Sequence, residues 1–366
     1  MKFLKAVPSD KYMDKNDLIH ILSTKDKAEL ERIRREAEKT LLSFCGNKVY
    51  LRGLIEFSNV CENDCLYCGI RKENSHIGRY LLAQERIVEA ALWCGNQGYG
   101  SVVLQSGERS DKKFITYVEK TVAEIKAQSR TRTLPDGLGI TLSIGEQSEE
   151  TYYRLFAAGV HRYLLRIETT NDELYKRLHP PGMHFSDRIR ALEHLKQAGF
   201  QVGTGVMIGL PGQTVEHLAD DLLFFKQRDV DMIGMGPYIV HHDTPMAAWD
   251  DANERTPQER FGLGLRMIAA TRLLLKDVNI AAATALQAID PEGREKALSW
   301  GANVIMPQIT PTEVRREYQL YDGKPCVDES ADICKNCLAI RIEGAGREIG
   351  YDSWGDSKHA VNKRPH

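Results

Sequence analysis

The stretch VYLRGLIEFSNVCENDCLYC (49–68) runs an apolar strand, Val49 to Phe57, directly into a loop that carries three cysteines. Cys61, Cys65 and Cys68 follow a C-x3-C-x2-C spacing, so three thiolates fall within eight residues. Three soft ligands suit a cubane 4Fe–4S cluster and leave one iron open to a small molecule. A structural zinc site normally recruits a fourth ligand and closes itself. Zinc and buried free thiols are the alternatives. Tyr67, just before the third cysteine, adds an aromatic wall beside the loop.

Outward from this stretch, short apolar or β-branched runs alternate with amphipathic helical ones. The further strand candidates are SVVLQSG (101–107), GITLSIG (139–145), RYLLRIET (162–169), VGTGVMIGL (202–210), DMIGMGPYIV (231–240), NIAAATAL (279–286) and ANVIMPQI (302–309). Strands alternating with helices in this number predict an α/β fold, a complete (βα)8 TIM barrel rather than an open sheet. Gly159, Gly199 and Gly301 read as helix C-caps entering strands, and Thr214 as an N-cap whose helix turns Leu218, Leu222 and Phe225 to one face. Residues 1–47 form a helical lead-in, with Leu30, Ile33, Ala37 and Leu41 at helical spacing. Residues 48–310 form the barrel, and residues 311–366 a C-terminal extension with a second cysteine triplet and a basic end.

The chain has 366 residues, 42% hydrophobic and 27% charged, enough for a large core and a soluble surface. A formal charge of −2 gives no support for a nucleic-acid or membrane partner. No signal peptide is visible, and no apolar run reaches transmembrane length. The expected location is the cytoplasm. Of eight cysteines, six fall in two tight triplets, which reads as metal ligation rather than disulfides. Cys45 and Cys94 stand alone and read as core thiols.

In such barrels chemistry collects where strands end. Gly107 and Glu108 end the second strand; a glycine there lets the backbone approach a ligand, although an ordinary charged loop end has the same look. Arg166 and Glu168 alternate along the fourth strand, so both face one way; inside the barrel the pair needs a ligand or serves as a structural ion pair. Gly203-x-Gly205 resembles the start of a dinucleotide fingerprint, but Ile208 breaks the pattern and no nicotinamide site is expected. His241 and His242, in extended chain, point opposite ways and make a poor metal pair. His241 follows the sixth strand, where a substrate pocket or a plain loop fits it. Cys326, Cys334 and Cys337 (C-x7-C-x2-C) suit an accessory 2Fe–2S or 4Fe–4S cluster, with zinc or free thiols as alternatives.

The C-x3-C-x2-C loop with its aromatic resembles the radical SAM superfamily, named for S-adenosylmethionine (SAM). The stretches IEFSNVCENDCLYCGIRKEN, VVLQSGE, ITLSIGE, YLLRIET, VMIGLPGQT, DDLLFFK, DTP, GANVIMP and YQLY occur in the order found in the HydE-like group of FeFe-hydrogenase maturases and cover roughly residues 25–355. Biotin synthase and methylornithine synthase are relatives with a thinner match. The resemblance implies that Cys61, Cys65 and Cys68 hold the catalytic 4Fe–4S cluster, and that Tyr67, Gly107, Glu108, Arg166, Glu168 and Arg188 lie against SAM. It places Thr141, Ser143, His241 and Thr284 at a substrate cavity. It assigns Cys326, Cys334 and Cys337 to an accessory cluster that activity does not need. It further implies a flavodoxin- or ferredoxin-type electron donor, and the maturase HydG and the GTPase scaffold HydF as partners. The reaction implied is reductive cleavage of SAM to a 5′-deoxyadenosyl radical, which acts on a cysteine-bound Fe(CO)2(CN) unit. A HydE-like paralogue, or a mutase resembling methylornithine synthase, would act instead on an organic amino acid or thiol. This chain departs from the group at Ile167 (histidine in the group), Ala283 (threonine) and Gln308-Ile309 (Asn-Trp), and the last two changes bear on the substrate.

Overall fold

The computed structural model describes residues 13–250 and 253–363. The first twelve residues of the expected lead-in, and the side chain of Cys334, lie outside the described residues. The strands are β1 (Lys48–Ser58), β2 (Ser101–Ser106), β3 (Gly139–Ser143), β4 (Arg162–Leu164), β5 (Gln201–Thr204), β6 (Met207–Ile208), β7 (Met232–Ile233), β8 (Gly236–Pro237), β9 (Asn279–Ile280), β10 (Val304–Ile305) and β11 (Glu348–Ile349). Eight of them form a curled parallel sheet in the order β10-β1-β2-β3-β4-β5-β7-β9. The two ends of that order meet at a parallel bridge between Ala281 and Val304, where the Ala282 N–H donates to the Val304 carbonyl at 2.9 Å.

β1 is the long central member, and its register runs from Arg52 opposite Ser101 to Ser58 opposite Ser106. The fifth and sixth sequence runs each split in two, β5/β6 and β7/β8. The split falls at Gly205 and Gly234, whose backbones pack so closely that a Cβ on Gly205 would lie 1.8 Å from the Gly234 carbonyl oxygen. Such an approach is open to glycine alone.

Helices cover the sheet's outer face. The Lys27–Phe44 helix buries Ile33, Ala37 and Leu41 against the Pro257–Leu275 helix, with Lys15–Ser23 beside it. Thr214 caps Val215–Gln227 through a capping box with His217, and Leu218, Leu222 and Phe225 are buried. Gly159, Gly199 and Gly301 have φ of 110°, 96° and 118°, the left-handed exits that helix-to-strand steps require.

The C-terminal segment does more than extend the chain. β11 pairs with the start of β1, and residues 354–356 cross the N-terminal end of the sheet. There Arg162 donates to the Trp354 carbonyl at 2.8 Å and pairs with Asp356 at 2.7 Å, while Arg52 and Asn279 donate to the Gly355 carbonyl at 3.0 and 2.8 Å. Two arginines inside an apolar ring would be costly to bury alone; these carbonyls and the carboxylate offset that cost.

Candidate active site

After β1 the chain leaves the sheet and wraps the three thiols. The loop is held by its own backbone: Glu62 N–H to the Glu108 carbonyl (2.8 Å), Lys72 N–H to that of Asn63 (2.8 Å), Cys68 N–H to that of Cys65 (3.2 Å). Arg79 pins it from outside, donating to the carbonyls of Asn59 (2.7 Å), Ile70 (2.9 Å) and Arg71 (2.5 Å). Nothing in the cysteine motif announced that role for Arg79. Gly69 allows the tightest packing, since a Cβ there would stand 2.1 Å from the Gln319 carbonyl oxygen and 2.3 Å from the His241 ring.

Cys61, Cys65 and Cys68 are free, partly buried thiols. Burial pushes all three up, Cys68 to about 12, and the neighbouring thiols add repulsion at Cys65 and Cys68. Three thiols gathered where none ionises readily alone is an arrangement that a cationic metal centre stabilises, since ligation needs thiolates. One partial compensation is built in, because the Glu108 N–H points at Cys61 Sγ at 3.4 Å. Gly107 completes the cradle: a Cβ there would fall 2.4 Å from the Val60 carbonyl oxygen and 2.8 Å from Cys61 Cβ. The thiol set and the cradle fit the cluster expected for the sequence motif.

Beside the thiols stands a ring of charge. Glu108 Oε2 accepts from the Glu146 N–H at 2.9 Å, and burial pushes its carboxyl up, with Arg188 and hydrogen bonds opposing. Arg188, 6% exposed, donates to the Glu146 carboxylate and the Arg166 carbonyl. Burial would lower its pKa, but Tyr175, Glu146 and Glu108 hold the guanidinium protonated. Arg166 and Glu168 pair at 2.9 Å. Regular pairing of β4 ends at Leu164, so simple alternation does not place them. Glu168 instead takes φ 63°, fixed by its N–H to the Gly205 carbonyl and its carbonyl to the Met207 N–H, both 3.0 Å. A non-glycine residue in that region is strained and clusters at functional sites. Arg166 Nε is buried without a hydrogen-bond partner among the described residues, as expected of a group awaiting a ligand.

Tyr67 is buried, and its hydroxyl lies 3.4 Å from His179 Nε2. His179 Nδ1 faces the Tyr175 carbonyl at 2.8 Å and must be the protonated nitrogen, so Nε2 accepts from Tyr67. Burial drops His179 to about 4, which keeps it neutral near pH 7. Glu146 joins the site from the end of the third strand, where the sequence places it, whereas no spacing rule singles out Asn63 or His179.

The expected cavity residues do not converge. Thr141 lines an internal cavity of about 30 Å³ with Arg52 and Met232, and its hydroxyl already accepts from Arg162 Nε at 2.9 Å. Ser143 ends β3, half-buried. Thr284 begins the Thr284–Ile289 helix and lines a separate cavity of about 210 Å³ with Cys326 and Cys337; Met306 borders both. His241 packs against Gly69, beside Cys68. The expectation that His241 and His242 point apart fails: their rings stack at 4.8 Å and 13°, because the chain turns there, with the Thr244 N–H bonded to the His241 carbonyl. Cys94 is fully buried, and Cys45 Sγ lies 3.2 Å from Arg272 Nη1.

Residues 55–225 match the Radical SAM superfamily. The chain is 44% identical to the [FeFe] hydrogenase maturase subunit HydE of Thermotoga maritima over 338 residues, 92% of each chain. It is 27% identical to 3-methylornithine synthase of Methanosarcina acetivorans, over 91% of this chain and 89% of that one. Among solved structures, methylornithine synthase (PylB) superposes with a TM-score of 0.78 at 25% identity, covering 94% of this chain and 96% of that one. The maturase HydG from Carboxydothermus hydrogenoformans superposes with a TM-score of 0.75 at 20% identity, over 91% and 75%, which speaks for the fold alone. Fold and thiol site together define a radical SAM enzyme, a class that works with a 4Fe–4S cluster and SAM. Within that superfamily the chain belongs to the HydE family.

Proposed function

We propose that this enzyme serves FeFe-hydrogenase maturation as its HydE relative is named to do, acting on a cysteine-bound Fe(CO)2(CN) precursor. One observation carries the reading: three free, partly buried thiols stand beside an Arg166–Glu168 pair whose Arg166 Nε is buried and unpartnered among the described residues. Cys61, Cys65 and Cys68 would hold the cluster. Glu108 and Glu168 can accept from an ammonium group, and Arg166 and Arg188 can donate to a carboxylate, the two ends of the methionyl part of SAM. Tyr67, neutral and anchored on His179, offers an aromatic face. The cluster with SAM supplies reductive sulfonium cleavage to a 5′-deoxyadenosyl radical, and the protein's part is orientation and exclusion of water.

The curled sheet reads as a complete (βα)8 barrel, closed through the Ala281–Val304 bridge. Cys326 and Cys337 border one cavity, which supports an accessory cluster with Cys334 as third ligand. The electron donor would be a flavodoxin or ferredoxin, and the partners HydG and HydF. No described helix is long and apolar enough to cross a membrane; the family resemblance supports the cytoplasm.

The test is activation of apo-hydrogenase in a mixture that contains HydG and HydF. The chain is expected to restore hydrogenase activity, and its Cys65→Ala variant not to. A chain that cleaves SAM but never restores activity would favour an organic substrate, the reading that Ala283 and Gln308-Ile309 keep alive.

A further inference from the structure

The cavity of about 210 Å³ beside Thr284 holds an anomaly. Arg294 lines it and is 7% exposed, yet its guanidinium Nε is covered and has no hydrogen-bond partner among the described residues. An arginine remains charged in proteins, and a buried charge without acceptors is costly. Glu329 also lines the cavity; of the carboxylates around it, Glu295 pairs with Arg341 at 2.6 Å, and Glu56 with Lys324 at 2.5 Å. Gln287 lines the same cavity, and its Oε1 is covered and receives no hydrogen bond. One cavity thus presents an open cationic donor and an open neutral acceptor, with the Thr284 side chain beside them.

We propose that this cavity binds a small amino acid, with its carboxylate on Arg294 and an amino N–H donated to Gln287 Oε1. A planar guanidinium matches a carboxylate in two parallel hydrogen bonds, and the ligand's nitrogen satisfies the acceptor that the fold leaves bare. The site is separate from the proposed SAM site, because neither Arg166 nor Arg188 lines this cavity. Met306 stands between it and the internal cavity that Arg52 and Thr141 border, so the bound amino acid sits at an entrance to the interior. The inference goes beyond the maturation reading and does not depend on the substrate assigned there.

The experiment is calorimetric titration of the reconstituted protein, saturated with SAM to block the methionyl site, using L-alanine, acetate and methylamine as probes. Saturable L-alanine binding is expected, with acetate weaker and methylamine silent. Arg294→Gln should weaken L-alanine at least tenfold, the loss expected for a charge-assisted pair, while SAM affinity stays unchanged. Arg294→Lys, which keeps the charge, should retain part of the binding and guards against a folding defect. Cys326→Ser with Cys337→Ser should leave L-alanine binding intact. Absence of saturable L-alanine binding, or equal binding by parent and Arg294→Gln, overturns the proposal. Loss of binding in the cysteine variant also overturns it, since Arg294 would then serve a metal centre. Because SAM cleavage is read separately, failure of this site and failure of the maturation reading are distinguishable.

Discussion

Gly107→Ala isolates the geometry of the thiol cradle. Gly107 is not among the residues with positive φ, so alanine can adopt its backbone and the effect is purely steric. The new methyl carbon would sit 2.4 Å from the Val60 carbonyl oxygen and 2.8 Å from Cys61 Cβ, where ordinary contact begins at 3.4 Å. Relief therefore requires the segment bearing Cys61 to move by about 1 Å, and a misplacement of that size costs about 10²-fold in rate. The displaced segment also carries the sulfur that receives the Glu108 N–H, so a carboxylate of the charge ring moves with it. The assay is 5′-deoxyadenosine formation from SAM by dithionite-reduced, reconstituted protein, with circular dichroism as a check on folding. A folded variant about 100-fold slower is expected. A folded variant that cleaves SAM at the parent rate would refute the cradle argument.

Other outcomes follow from the same geometry. Glu168→Gln removes the charge next to Arg166 and should raise the SAM dissociation constant about 10- to 100-fold by calorimetry; an unchanged constant would remove Glu168 from the site. Cys326→Ser with Cys337→Ser should lower iron per chain and leave SAM cleavage unchanged, whereas equal iron would argue against the accessory cluster. Asp221 is buried, and burial lifts its carboxyl to about 7, against the two hydrogen bonds that Thr170 donates to Oδ1. Between the usual carboxylate range and about 7, the folded chain keeps a proton that the unfolded chain releases. Its contribution to stability therefore falls as pH rises through that window. Asp221→Asn should gain on the parent by about 3 °C or more in Tm at pH 8 relative to pH 5; parallel Tm–pH curves would contradict the assignment.

The cysteine loop and the strand–helix alternation were legible because each depends on local spacing. Every strand run from the sequence contains a paired strand, but the regular segments are shorter from β4 onward. Around Arg166 the chain abandons regular pairing to give Glu168 its left-handed backbone, and no residue pattern encodes that turn for a glutamate. The stacked histidines were misread for a similar reason, since a turn at Thr244 replaced the extended chain assumed. The plug at residues 354–356 was invisible because its meaning lies in contacts with Arg52 and Arg162, remote in sequence. Those arginines sit in runs that read as apolar strands. Thr141 and Thr284 both follow the strand-end logic, yet Met306 separates the cavities they line. Periodicity gives a residue's face, not its neighbours across the curled sheet.

Action on the proposed substrate is decided by mixing reduced, reconstituted protein with SAM and the synthetic cysteine-bound Fe(CO)2(CN) complex under anaerobic conditions. The products are followed by EPR and by the fate of the deoxyadenosyl group. An adenosylated low-valent iron species is expected only when that complex is present, and its loss is expected in Cys65→Ala. SAM cleavage to free 5′-deoxyadenosine with the complex left untouched would contradict the proposed substrate. No SAM cleavage at all would contradict the site.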